Sequence, residues 1–142
     1  MRDINKIMGA AVVLSLVMNI AAVWFVPETI VTHWNGRGEP DGSMTKIFGL
    51  FMLTGIISMI AVIFAVLPRL KGIAEHMKQW GGVYAVTAGW FIGFLIVINA
   101  HIVLWNTGML KMNPVILGAY ALIVFVVIFA GALWRMFGGP HS

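Results

Sequence analysis

The chain contains four long apolar runs, 7–26, 47–67, 83–105 and 115–136, separated by polar segments. A hydrocarbon core of ~30 Å takes about 20 residues of α-helix to cross, so each run is long enough to span a bilayer. Inside lipid no water is available for the peptide groups, and a segment that crosses must close its own backbone hydrogen bonds. The apolar residues come in runs rather than on amphipathic faces, and each run reads as a helix. Composition agrees: 61% of the residues are hydrophobic, 10% are charged, and the mean hydropathy is +0.96. The expected architecture is an all-α membrane protein, a single membrane domain over residues 1–142. It has four transmembrane helices, a structured outer loop over 27–46 and an inner amphipathic connector over 68–82.

The first run is too long for the apolar region of a signal peptide and ends in Trp24-Phe25-Val26-Pro27, where a peptidase needs small residues; it reads as an uncleaved helix. With no cysteine, disulfides and thiolate metal sites are excluded. Of the nine Lys and Arg residues, Arg2, Lys6, Arg69, Lys71, Lys78 and Arg135 fall on one side, and Arg37, Lys46 and Lys111 on the other. The bias predicts a multi-pass protein of the cell membrane with both termini cytoplasmic. Basic residues facing anionic lipid account for most of the net charge of +4, and no nucleic-acid partner is needed.

In the inner connector, Ile73, Met77 and Trp80 recur at spacings of four and three, with Lys71, Glu75 and Lys78 turned elsewhere; this predicts a short helix lying on the membrane surface. The outer loop is different. Pro27 ends the first helix, and Gly36, Gly38, Pro40 and Gly42 punctuate the stretch beyond it, so the loop is expected to be a series of turns folded as a cap. Arg37, Glu39, Asp41 and Lys46 can pair among themselves. His33, Glu39 and Asp41 are also feasible ligands for a divalent metal, without the fixed spacing of a zinc helix.

The run from Val26 to Gly42, with Thr32-His33-Trp34-Asn35 and Gly38-Glu39-Pro40-Asp41 and then Lys46, resembles the first outer loop of the SdpI-type membrane proteins of bacteria and archaea. The resemblance continues more loosely through Leu67-Pro68-Arg69, through 101–108, and at Asn113 and Gly118. It implies the membrane domain and its loop. The namesake of that family is an immunity protein against a secreted toxic peptide and also takes part in signalling. Longer members carry a second half with a Gly-Ile-Arg-Thr-Pro-Trp type motif, which does not occur in this chain.

The polar residues within the runs are few, and Asn19, Thr54, Ser58, Asn99 and His101 are among them. A His inside a spanning segment needs partners. The third helix runs outward, which brings His101 to the side of the membrane that carries His33. Trp90, Phe94, Ile98, His101 and Trp105 form one stripe at helical spacing. His101 therefore reads as a buried hydrogen-bond partner, as a ligand or as lipid-interface packing. Gly89 and Gly93 make a Gly-x-x-x-Gly pair that would serve internal packing or a homo-oligomer.

These residues leave three function classes. The first, preferred, is a binding or immunity-type protein that meets a peptide, lipid or small ligand through His33, Asn35, Glu39, Asp41, Lys46 and His101. The second is a membrane metalloenzyme with its metal at His33, Asp41 and His101. It lacks any recognised nucleophile setting, so the reading leans away from an enzyme. The third is a small transporter or channel subunit, for which no Asp or Glu lies in any span.

Overall fold

The structure is a computed structural model that describes the backbone of residues 2–137, and their side chains apart from 2, 3, 76–79 and 136. It is mostly helical. The elements run α1 (Arg2–Ala22), β1 (Thr29–Trp34), β2 (Pro40–Thr45), α2 (Lys46–Val66), a 3₁₀ turn (Leu67–Arg69), α3 (Lys71–Asn106) and α4 (Pro114–Phe137). Within these helices Ile4–Ala22, Lys46–Arg69, Trp80–Asn106 and Pro114–Arg135 are long and apolar enough to cross a membrane. The chain is a multi-pass membrane protein with four candidate spans.

The segment between the first two spans is a β-hairpin, not a plain series of turns. Thr29, Ile30, Val31, Thr32 and Trp34 are β-branched or aromatic, the side chains that suit a half-buried strand. The turn chemistry is confined to 35–39, while Pro40 and Gly42 fall within β2. Pro40 is tolerated because it is the first residue of its strand. Gly42 pairs with His33 across the hairpin, and a Cβ there would lie 2.9 Å from the His33 Cβ. Glycine at 42 permits that approach.

The connector also differs from expectation. After the 3₁₀ turn at Leu67-Pro68-Arg69, α3 runs for 36 residues without a break, so 71–79 continue the third span instead of forming a separate surface helix. Gly81-Gly82 weakens a helix by ~1 kcal/mol per residue but does not end it, and no proline occurs between 69 and 113. At 1.5 Å per residue α3 is ~54 Å long, well over the hydrocarbon thickness. The faces assigned to Met77 and Lys78 lie outside the described side chains.

Helices α1, α2 and α3 pack together, and α4 leans chiefly on α3. The shared core takes Ile4, Met8 and Ala11 from α1, Leu50, Leu53, Ile57 and Ala61 from α2, and Ala88, Ile92, Leu95 and Ile102 from α3. On α3 these positions recur at steps of four and three, so one face of that helix points into the core. The opposite stripe, led by Trp90 and Phe94, meets α4: Trp90 lies 4.3 Å from Phe125 between ring centroids. No described residue of α4 is fully buried. Neither Gly89 nor Gly93 has any atom within 4 Å of where a Cβ would stand, so that glycine pair does not bring these helices together.

Lipid supplies no hydrophobic drive between helices, and buried polar contacts add to packing. Here they form one network. Asn19 Nδ2 donates to the Leu50 carbonyl and to Thr54 Oγ1, both at 2.7 Å. The Ser15 and Thr54 hydroxyls are 2.7 Å apart, and Asn99 Nδ2 donates to Ser15 Oγ at 2.8 Å. Ser15 and Asn19 from α1, Thr54 from α2 and Asn99 from α3 are all buried, so the network ties the three core helices together, in the half of the bundle nearer the hairpin.

Candidate functional site

The hairpin closes one end of the bundle, and its own turn explains its shape. Gly38 N–H donates to the Asn35 carbonyl and Asn35 N–H to the Glu39 carbonyl, both at 2.9 Å. The pattern is a three-residue loop closed by a residue of positive φ, with Gly38 at +80°. The Asn35 side chain sits at its centre. Its Oδ1 accepts from the backbone N–H of Arg37 and of Glu39 at 2.9 and 3.0 Å, and its Nδ2 donates to Glu39 Oε2 at 2.8 Å.

Three attachments fix the hairpin on the helices. Ile30 is fully buried against Gly49, where a Cβ would come within 2.8 Å of its Cδ1. The Asn106 amide at the end of α3 acts as a surrogate strand for β1: its Oδ1 accepts from Val31 N–H at 2.8 Å and its Nδ2 donates to the Val31 carbonyl at 2.9 Å. Asn113 Nδ2 donates to the Arg37 carbonyl at 3.1 Å, while its Oδ1 caps the Val115 N–H at the start of α4. Asn106 thus occupies the free edge of β1 at Val31, where another strand could otherwise pair.

Strand alternation then sorts the side chains. Ile30, Thr32 and Trp34 turn toward the helices, and Thr29 and His33 turn away. His33 is 71% exposed and its Nδ1 lies 2.6 Å from Asp41 Oδ1. Trp34 lies over α3 instead. Its ring centroid is 5.3 Å from that of His101 and 5.5 Å from that of Trp105.

Beneath the hairpin, between α3 and α4, opens a cleft of about 270 Å³. Thr32, His33, Trp34 and Asn35 roof it, Phe94, Ile98 and His101 form one wall, and Val115, Leu117 and Gly118 belong to the other. Most of this lining is apolar. Yet three residues that line it carry buried polar atoms with no hydrogen-bond partner in the protein: Thr32 Oγ1, Trp34 Nε1 and both ring nitrogens of His101. His101 is 4% exposed. Orphaned buried polar atoms cost ~1–3 kcal/mol each and are uncommon in folded proteins.

The six expected ligand residues therefore separate. His101 lines the cleft, and His33 and Asn35 stand at its rim. Glu39 braces the turn through Asn35 and pairs with Arg37 at 3.4 Å. Lys46, at the start of α2, pairs with Glu28 at 2.7 Å, and Asp41 holds His33. The expected exchange of ion pairs within 37–46 is thus partly replaced by partners outside that stretch. The metal set His33, Asp41 and His101 does not assemble: among the described residues no three His, Asp or Glu side chains form a group able to hold a metal. The reason is the strand geometry, which turns His33 to solvent and leaves Trp34 between the hairpin and His101.

Sequence reasoning passed over Thr32, Trp34 and Asn106. Trp34 and Thr32 carried a signal, since both alternate with His33 in a β-branched run. Asn106 was legible only as the first residue after the third apolar run.

Residues 10–58, from within α1 through the hairpin into α2, match the family model described as a domain of unknown function, DUF1648. No curated protein and no solved structure matches the chain.

Proposed function

We propose that the protein binds a small or lipid-like ligand at its outer face, in the cleft beneath the hairpin, in a role of the immunity or signalling type that the SdpI-like loop implies. The observation that carries this reading is the set of four unpartnered polar atoms buried on Thr32, Trp34 and His101 in one otherwise apolar cleft. A concave apolar site with a few convergent polar groups is the usual form of a small-ligand pocket. In this reading His101, Thr32 and Trp34 meet the ligand, with His33 and Asn35 at the rim. Glu39, Asp41 and Lys46 act indirectly, by holding the hairpin in place.

The protein is proposed to sit in the cell membrane with both termini cytoplasmic, as the Lys and Arg bias supports. Ser43→Cys in intact cells should react with a membrane-impermeant thiol reagent and Lys71→Cys should not; the reverse pattern inverts the orientation. For the ligand, a photocrosslinking residue at Leu117 should capture a discrete species that the same residue at the lipid-exposed Val127 does not. His101→Leu should abolish that capture. Identical mixed adducts at both positions would end the binding reading.

A further inference from the structure

We propose that the cleft takes a neutral glycerolipid, of the diacylglycerol type, which enters sideways from the bilayer. This rests on the binding reading above and adds the chemistry and the route. The route is set by what covers the cleft. The hairpin roofs it toward the water, through Thr32 and Trp34. On the flank, α4 packs chiefly on α3, and Val115, which lines the cleft, is exposed on the surface of the bundle. A hydrated solute or a folded peptide meets the roof, whereas a lipid chain lies already at the open side.

The chemistry is set by the orphaned atoms. Trp34 offers one N–H donor and Thr32 one hydroxyl. His101 is buried with neither nitrogen bonded to a protein group, and an imidazole in its neutral form offers one N–H and one bare nitrogen. These atoms are closed to solvent in this structure, so the side chains must turn as the lipid enters; three donors and an acceptor nitrogen then complement a group that carries two ester carbonyls and one hydroxyl. They do not complement a phosphate. No Lys or Arg lines the cleft, and the cations of this end are engaged elsewhere: Arg37 with Glu39, Lys46 with Glu28, and Lys111 with the Trp105 carbonyl at 2.9 Å. The cleft has a volume of about 270 Å³ and is partly open to the outside. It suits a glycerol headgroup and the first chain carbons, with the remaining chain lying in the seam between α3 and α4.

The test reconstitutes the protein in phosphatidylcholine nanodiscs. Diacylglycerol with a diazirine-bearing acyl chain is compared with phosphatidic acid of the same chains. Diacylglycerol should label 94–101 and 115–118 at least fivefold more than phosphatidic acid does, and unlabelled diacylglycerol should compete. His101→Leu and Trp34→Phe should each cut labelling several-fold without lowering the thermal midpoint. His101→Gln, which keeps a donor and an acceptor, should restore part of it. Equal labelling by both lipids, or labelling spread along the exposed face of α4, overturns the proposal. A His101-dependent adduct at Leu117 in cells that proves to be a peptide also overturns it, while leaving the outer-face binding reading intact. Loss of that adduct together with the lipid labelling would remove both.

Discussion

The buried network among α1, α2 and α3 and the cleft beneath the hairpin each bury a few polar side chains among apolar ones, yet they use them in opposite ways. In the network every side chain bonds to at least one other, and only the Oδ1 atoms of Asn19 and Asn99 are left without a partner. In the cleft Thr32, Trp34 and His101 make no side-chain hydrogen bond at all. Both arrangements sit within one small bundle, so a general tolerance for buried polar groups does not explain the difference. Partnered polar atoms hold helices together; the orphaned ones, on residues that line the cleft, are what the proposed ligand site rests on.

That contrast fails first if the network is dispensable. Asn19→Leu removes two buried hydrogen bonds and leaves Thr54 short of a donor. Stability in mixed detergent unfolding should fall by about 1–3 kcal/mol. A change within error would mean that apolar packing alone holds α1 to α2. A smaller, local effect is expected at the hairpin. Asn106→Ala uncovers both the N–H and the carbonyl of Val31 and should cost ~1–2 kcal/mol there. Hydrogen exchange at the Val31 amide should accelerate about tenfold, with protease sites in 28–46 becoming accessible while the helices stay protected.

How much of this was legible in the sequence differs along the chain. The four spans were, because continuous apolar runs of membrane length leave one physical solution. The hairpin was not, because Gly36, Gly38, Pro40 and Gly42 read as punctuation throughout, although only Gly36 and Gly38 lie in the turn. Gly42 answers a contact with His33 that lies across the hairpin, and local reading has no access to it. The continuity of α3 was hidden by Gly81-Gly82, whose helix penalty is smaller than the gain from the long flanking segments. Ser15 shows the same limit at the core: its position in α1 was plain, but its partners, Thr54 and Asn99, are 39 and 84 residues away. In the cleft, His101 was visible as an intramembrane His, while Trp34 looked like a loop aromatic. Only the packing of β1 on α3 brings the two rings together.

The third effect has the opposite sign from the first. Asn19→Leu takes away bonds, whereas His101→Leu takes away only orphaned atoms and fills the same region with apolar volume. Unfolding stability should stay the same or rise by up to ~1 kcal/mol, while capture at Leu117 is lost. A fall of ~2 kcal/mol or more would show that His101 has a structural partner, and the cleft would then belong with the network.

The smallest expected effect tests whether the hairpin end holds one unit or two. His33 and Asp41 form an exposed pair, worth ~0–1 kcal/mol once screened by water and salt. His101 bonds to neither, and the Trp34 ring packs against it. Combining His33→Ala with His101→Leu should therefore give stability changes that add to within about 0.5 kcal/mol, measured without added ligand. A coupling above ~1 kcal/mol would mean that the two histidines share a partner. Repeating the cycle with added zinc separates the cases: coupling that appears only with the metal would restore a joint His33 and His101 centre, which requires the hairpin to leave its place over α3. Additivity under both conditions leaves His33 as a clasp of the hairpin and His101 as a residue of the cleft, two histidines on one side of the membrane with separate tasks.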